Sequence, residues 1–241
     1  MRGQTSNGSL PALPEPSRSQ RLLWSIWVAG AALLAAAVAM RLVREAAPVR
    51  WWVPLAALAG MAAADFASGL LHWAADTWGR ADLPVVGSRI LVPFRVHHVN
   101  PDDFLTRRFL DTNGDVAAIS IPVLSGLLVM PLESAWQHAV GFGGFAFCLV
   151  GGMTNQIHQW AHLPSPPGAV RLLQGLGLFL GAREHAVHHQ RPYHGHYCIT
   201  TGWCNRLLDR IAFFRRLETA ITALTGARPR ADEQIHRAGS G

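Results

Sequence analysis

An uncharged run of 19 residues, Leu22 to Met40, constrains this chain more than any other feature of its sequence. Arg21 and Arg41 lie at its two ends. At about 1.5 Å rise per residue, a helix of this length spans roughly 28 Å, close to the hydrocarbon thickness of a bilayer. The run predicts a transmembrane helix and argues against an ordinary soluble domain.

Three further segments have the composition of membrane spans, in a chain of 241 residues that is half apolar and only 15% charged. The second span begins at the aromatic pair Trp51 and Trp52 and runs to about residue 75. Residues 116–130 and 139–157 form a predicted helical hairpin. We expect an all-α integral membrane bundle of about four transmembrane helices.

The remaining segments predict surface elements and tails. Residues 170–181 are too short and too glycine-rich to cross a membrane, which indicates an interfacial or re-entrant segment. After Trp203, apolar positions recur every three or four residues with arginines between them, which predicts an amphipathic helix on anionic lipid. We expect a disordered tail at 1–20, a membrane domain at 21–227 and a polar tail at 228–241.

The charge distribution predicts which way the bundle faces. All 21 basic residues are arginine, and four spans with a cytoplasmic N-terminus place 18 of them on the cytoplasmic side. The arginines do not form a basic face interleaved with aromatic residues, so we expect no nucleic-acid partner. Arginine without lysine is typical of a GC-rich bacterial genome, which favours a bacterial inner membrane, with the endoplasmic reticulum as the eukaryotic alternative.

Histidines are unusually frequent, with twelve in the chain and eleven of them between His72 and His196. Side chains four residues apart lie on one face of a helix and can reach one metal, whereas adjacent pairs can divide between two metals. With either His188 or His189 counted beside His185, seven histidines and one carboxylate are predicted to converge. The clusters are His72 with Asp76; His97 with His98; His158 with His162; and His185 with His188 and His189.

Several kinds of site compete for this pattern. A lone interfacial histidine usually forms hydrogen bonds at a helix end, but four clusters on one membrane face indicate a metal. The zinc-protease motifs HExxH and HxxEH do not occur in the sequence. Structural zinc needs four ligands, and bis-histidine haem leaves most histidines unexplained. Imidazoles with a carboxylate suit non-haem iron, and their number suggests two ions at the cytoplasmic boundary.

Such a centre points to O2-dependent oxidation of a lipid. Breaking an unactivated C–H bond requires an oxidant stronger than any side chain, and iron with O2 supplies one. The sequence has no GxGxxG dinucleotide fingerprint after a strand. We therefore expect the electrons to come from another protein.

Residues 51–230 resemble the plasmanylethanolamine desaturase family, also called the Kua or lipid desaturase domain family, which has animal, myxobacterial and plant chloroplast members. The resemblance implies O2-dependent desaturation of the 1-O-alkyl chain of an ethanolamine phospholipid to the vinyl ether of a plasmalogen. It also implies a cytochrome b5 or ferredoxin-like electron donor. The motifs are ADFASGLLHWAADTWG, LPVVGSRILVPFRVHHVNP, FLDTNGD, NQIHQWAH, EHAVHHQRPYHGHYCITTGW, FFRRLE and LTGARPR.

The resemblance also implies a ligand set for two irons. Asp65, Asn113 and Asp115 lie in the family motifs, and we expect them to support the ligands or the fold. His194 and His196 depart from the family pattern and are left out of the set. The implied metal and catalytic residues are His72, Asp76, His97, His98, His158, His162, His185, His188 and His189.

Three arginines and two histidines complete the predictions. Arg95, Arg183 and Arg191 flank the histidine clusters and are either phosphate ligands or topology determinants, the latter being favoured. His138 and His236 lie apart from the clusters and are expected to be dispensable.

An acyl-chain desaturase and a non-enzymatic metal or haem binder remain as alternative functions.

Overall fold

The computed structural model describes residues 11–45, 51–190 and 193–230, and the regular structure within them is helical. His236, Arg191 and the outer parts of both predicted tails lie outside these residues. The helices are α1 (Arg18–Glu45), α2 (Val53–Thr77), α3 (Val92–Val99), α4 (Pro101–Thr106), α5 (Phe109–Val129), α6 (Ala135–Gly151), α7 (Thr154–His162), α8 (Gly168–Gly175), α9 (Ala182–His188), α10 (Asn205–Arg210) and α11 (Phe213–Thr225), with a π-helical turn, Gly87–Leu91, before α3.

Helices α1, α2 and α5 are each long and apolar enough to cross a membrane. Helices α6 and α7 meet the same criterion together, although they are bent by 44° at the break between them. Among the described residues there are thus three spanning helices, or four if the bent pair is one span. The predicted all-α membrane bundle is confirmed.

Two span boundaries differ from the prediction. Helix α5 starts at Phe109 rather than near residue 116, because the Asp111 carboxylate accepts a hydrogen bond from the backbone N–H of Arg108 and holds the polar first turn. The predicted span 139–157 is interrupted, since α6 ends at Gly151 and α7 begins at Thr154. Two consecutive glycines weaken a helix, and the resulting bend redirects the histidines of α7.

The segment after Trp203 forms two helices rather than one. Ala212 separates α10 from α11 and has a φ of 51°, in the left-handed region. Leu208 and Phe214 are buried in a cluster with Trp73 and Tyr197. The amphipathic pattern was identified correctly, but much of its apolar face packs against the protein. The predicted single helix is therefore wrong, and its contact with anionic lipid stays a prediction.

Both ends of the membrane domain continue past the predicted boundaries. Helix α1 begins at Arg18, within the segment predicted as a disordered tail, and Arg107 donates hydrogen bonds to the carbonyls of Leu13 and Pro14. At the other end, the backbone N–H of Arg230 donates to the carbonyl of Thr77 at 2.9 Å. Residue 230 lies beyond the predicted domain end at 227.

Helices α2 and α6 approach closely through glycines. A Cβ atom added at Gly60 would collide with the backbone of Gly143. Without a hydrophobic driving force between helices in lipid, such close packing of small residues is a main source of association. This contact fixes α2, which carries His72 and Asp76 at its far end, against the rest of the bundle.

Candidate metal centre

Four helices bring the predicted ligands to one end of the bundle. The last turns of α2 carry the first two ligands, and the last turn of α3 carries an adjacent histidine pair. Helix α7 carries two histidines four residues apart, and α9 with its C-cap residue carries three. All nine side chains are buried or half-buried. They divide into two groups, whose ligand atoms lie within 4.8 Å of one another in each group.

The first group, here called the Asp76 group, consists of His72, Asp76, His98 and His188. The Nε2 atom of His98 lies 3.3 Å from that of His72 and 3.1 Å from that of His188. Oδ2 of Asp76 lies 3.3 Å from Nε2 of His72 and 3.5 Å from Nε2 of His98. One carboxylate oxygen and three imidazole nitrogens therefore face one point.

The second group, here called the five-histidine group, consists of His97, His158, His162, His185 and His189. Nε2 of His185 lies at its centre. It is 2.9 Å from Nε2 of His158, 2.8 Å from that of His162 and 3.0 Å from that of His189.

The two groups are immediate neighbours because two adjacent pairs divide between them. His97 belongs to the five-histidine group and His98 to the Asp76 group, with 4.3 Å between their ring centroids. His188 and His189 divide in the same way, with ring centroids 5.5 Å apart. The side chains are therefore arranged for two closely spaced cations.

Backbone carbonyls orient three of the rings. Nδ1 of His72 faces the carbonyl of Tyr197 at 3.2 Å, and Nδ1 of His188 faces that of Gly195 at 2.8 Å. Nδ1 of His97 faces the carbonyl of Phe94. A carbonyl only accepts hydrogen bonds, so each Nδ1 carries the proton and each Nε2 presents a lone pair to its group.

The donor set fits metal ions better than a hydrogen-bond network. An imidazole nitrogen has either one proton or one lone pair, so Nε2 of His185 satisfies one of its three close contacts well and the others poorly. Nε2 of His97 is buried and has no hydrogen-bond partner among the residues that the structure describes. Unpartnered buried polar atoms are costly, and a cation among the lone pairs removes that cost.

Burial keeps these histidines in the neutral form that a metal requires. It lowers the pKa of His188 to about 3 and that of His189 to about 4. It also holds the pKa of His97 and of His98 well below the usual value. Neutral imidazoles at pH 7 are ready to coordinate without first losing a proton.

Asp65 lies outside both groups and holds the segment that follows them. Its buried carboxylate accepts hydrogen bonds from the backbone N–H groups of Thr201 and Gly202, both at 2.8 Å, and of Cys204 at 2.9 Å. Thr200 donates a longer one of 3.3 Å. Asp65 thereby fixes the CITTGW motif against α2.

The other two polar residues from the family motifs also act away from the metal groups. Asn113 is buried and donates to the carbonyl of Phe109 at 3.1 Å. Asp115 accepts hydrogen bonds from Trp24 at 3.0 Å and from Arg89 at 3.1 Å. Both tie α5 to its neighbours or to its own first turn.

Arg95 has a role that the sequence did not predict. Its guanidinium donates to the carbonyls of Ala75 and Trp78, at 3.0 and 2.6 Å, and so satisfies the C-terminal end of α2. Phosphate binding by Arg95 and its contribution to topology stay predictions. Arg183, the other described arginine of that set, is exposed.

The remaining described histidines lie outside the two groups. His138 contacts the carbonyls of Ser134 and Glu45 at the opposite end of the bundle. His196 pairs with Asp209, with 2.6 Å between Nδ1 and Oδ2. Neither contributes an atom to a metal group.

Sequence reasoning missed the residues that orient the imidazoles. Phe94, Gly195 and Tyr197 act through carbonyl oxygens, which every residue type offers, so no side-chain pattern indicates them. Only the folded path of residues 193–200 past α2 and α9 reveals these contacts.

Comparison with known proteins decides the family. The lipid desaturase domain family matches residues 61–232, a range that contains every residue of both metal groups. The chain belongs to the lipid desaturase domain family. The predicted resemblance is confirmed, and so is the predicted enzyme class, a desaturase.

Relatives of this lipid desaturase include proteins from bacteria, animals and plants. The plasmanylethanolamine desaturase of Myxococcus xanthus is 41% identical over 76% of this chain and 65% of its own length. Plasmanylethanolamine desaturase 1 of Mus musculus is 37% identical over 94% of each chain. Chloroplastic fatty acid desaturase 4 of Arabidopsis thaliana is 37% identical over 73% of this chain and 54% of its own. No solved structure matches the chain.

Proposed function

We propose that this lipid desaturase is a plasmanylethanolamine desaturase, which converts the 1-O-alkyl chain of an ethanolamine phospholipid to the vinyl ether of a plasmalogen in an O2-dependent reaction. The main support for this proposal is the pair of adjacent ligand groups at one end of a membrane bundle. The names of the Myxococcus and mouse relatives support the ether substrate.

The two groups would each hold one iron ion. Three histidines and Asp76 would bind the first, and five histidines would bind the second. Bound iron supplies the O2 activation that removal of hydrogen from an unactivated C–H bond requires. The carbonyls of Tyr197 and Gly195 hold His72 and His188 in the required tautomer, and burial of the ligands excludes bulk water.

The electron balance calls for a protein partner. Reducing O2 to two waters takes four electrons, and removing two hydrogens from the lipid provides two of them. The other two would come from a donor such as a cytochrome b5 or a ferredoxin-like protein. Positive-inside asymmetry supports a centre on the cytoplasmic side of an inner membrane, or of the endoplasmic reticulum in a eukaryote.

The test is expression in a host without plasmalogens that is fed 1-O-alkylglycerol. We expect acid treatment of the extracted lipids to release long-chain aldehydes. His158→Ala should abolish the aldehydes while the protein stays in the membrane, and His138→Ala should leave them unchanged.

Acyl-chain desaturation is the second candidate, because several Arabidopsis relatives are named fatty acid desaturases. New acyl double bonds without any aldehyde would favour it over the ether substrate.

Elemental analysis tests the metal separately. About two irons per chain and no Soret band are expected, whereas a Soret band would contradict the di-iron proposal.

A further inference from the structure

A polar cavity of about 900 Å³ lies directly beside the Asp76 group. Asp76 and Tyr197 form part of its wall, and Tyr197 packs against the ring of His188 with 5.2 Å between centroids. Helix α11 and the segment that ends at Arg230 form most of the remaining lining. The FFRRLE and LTGARPR motifs thus meet at this cavity.

The cavity carries an excess of positive charge. Its arginines are Arg215, Arg216 and Arg230, and its carboxylates are Asp76 and Glu218. Asp76 faces the histidines of its own group. The two arginines of α11 outnumber its one carboxylate in the cavity wall, and this excess of positive charge suits an anion.

Glu218 is already engaged on both oxygens. It accepts a hydrogen bond from Nε1 of Trp73 at 3.0 Å, and its other oxygen lies 3.3 Å from Nη1 of Arg215. Glu218 therefore holds Arg215 in place. Arg216 is exposed and forms no ion pair with any other residue that the structure describes.

The proposed reaction requires a headgroup site at this position. The double bond forms next to the ether oxygen, and six bonds separate the first alkyl carbon from the phosphorus of the headgroup. Six bonds of about 1.5 Å each place the phosphorus no more than about 8 Å from the reacting carbon. The cavity has Asp76, a residue of the Asp76 group, in its wall, so it adjoins the candidate metal centre as this short reach requires.

We propose that this cavity binds the phosphodiester of the substrate headgroup, with Arg216 and Arg215 as its anion contacts. Guanidinium groups bind phosphate oxygens through charge-assisted hydrogen bonds in a planar geometry that a lysine does not reproduce. The proposal rests on the proposed function, because it is that reaction which brings the phosphate close to the metals.

The test measures binding by the purified protein in detergent micelles. The first probe is a short-chain 1-O-alkylglycerophosphoethanolamine, and the second is the matching 1-O-alkylglycerol, which lacks phosphate. Arg216→Gln should weaken binding of the phospholipid about tenfold, as loss of one charge-assisted contact does, and leave the alkylglycerol unaffected. The control Arg171→Gln, an exposed arginine on α8, should change neither.

Three results would overturn the proposal. The first is equal phospholipid affinity in Arg216→Gln and Arg171→Gln, and the second is equal weakening of both probes by Arg216→Gln. The third is displacement of the phospholipid by inorganic phosphate at matching concentration, which would make the cavity a free-phosphate site. Arg216→Lys keeps the charge and should recover part of the affinity if the variant is folded.

Binding and turnover separate this proposal from the proposed function. A wild-type protein that discriminates between the two probes but releases no aldehyde would contradict the ether desaturation and leave the headgroup site standing. Aldehyde formation with no effect of Arg216→Gln on phospholipid binding would support the ether desaturation and contradict the headgroup site.

Discussion

His188 and His189 are neighbours in sequence, but their side chains serve different metal groups. Removing His188 leaves the Asp76 group three ligands, whereas removing His189 leaves the other group four histidines. We expect His188→Ala to lose about one of two irons and His189→Ala to retain most of both, since four ligands still complete a coordination sphere. Elemental analysis after purification measures this.

His138→Ala is the matched control for these histidine variants. Among the described residues, His138 forms hydrogen-bond contacts with two carbonyls at the opposite end of the bundle, so its loss should leave the iron content unchanged. Equal metal loss in His188→Ala and His189→Ala would contradict the division into two groups.

The carboxylate of Asp65 holds the CITTGW motif in place. In Asp65→Asn, an amide NH2 replaces one acceptor oxygen and faces backbone N–H groups, which leaves buried donors unsatisfied. We expect a destabilisation of about 3 kcal/mol, seen as a lower midpoint of thermal unfolding in micelles. Asp102→Asn, at an exposed position in α4, is the control and should unfold like the parent protein.

At the residue scale, the sequence predicted which side chains meet but not how they are oriented. The spacing of His158 and His162, and of His72 and Asp76, indicated shared helix faces, and both pairs do meet. The role of Asp65 was predictable only as general support. Its four backbone partners come from a segment more than 130 residues away, which no local pattern can bring to it.

At the scale of helices, α2 and α6 are predicted to depend on glycine. Gly60→Ala places a methyl group against the backbone of Gly143, so the helices must separate, at a cost of about 1–3 kcal/mol. Gly126→Ala is the matched control on α5, where an added Cβ meets nothing within 4 Å. Thermal unfolding in micelles should show a lower midpoint for the first variant only. Equal midpoints would contradict close α2–α6 packing.

Hydropathy predicted the spanning helices well and their ends less well. Long apolar runs indicate helices in lipid because every backbone group must be satisfied within the segment. The break at Ala212 depends instead on tertiary contacts, such as the burial of Phe214 against Trp73. Those contacts join segments far apart in sequence, so periodicity alone does not reveal them.

At the scale of the whole molecule, contacts group the connecting segments into two ends. Arg107, in the 80–108 loop, binds the N-terminal segment through Leu13 and Pro14, at the end that holds the metal groups. Arg41 donates to the carbonyl of Leu128, and His138 contacts that of Glu45, which joins the two connections at the other end. The arginine-rich segments thus share one side with the candidate metal centre.

This arrangement predicts the topology, because arginine-rich short loops remain in the cytoplasm. Asp82 and Glu133 are both exposed, and they lie in connections at opposite ends of the bundle. In intact cells, Glu133→Cys should react with a membrane-impermeant maleimide, and Asp82→Cys should react only after the cells are permeabilised. The unsubstituted protein controls for its own cysteines. Labelling of Asp82→Cys in intact cells would place the metal groups on the outer side and exclude a cytoplasmic electron donor.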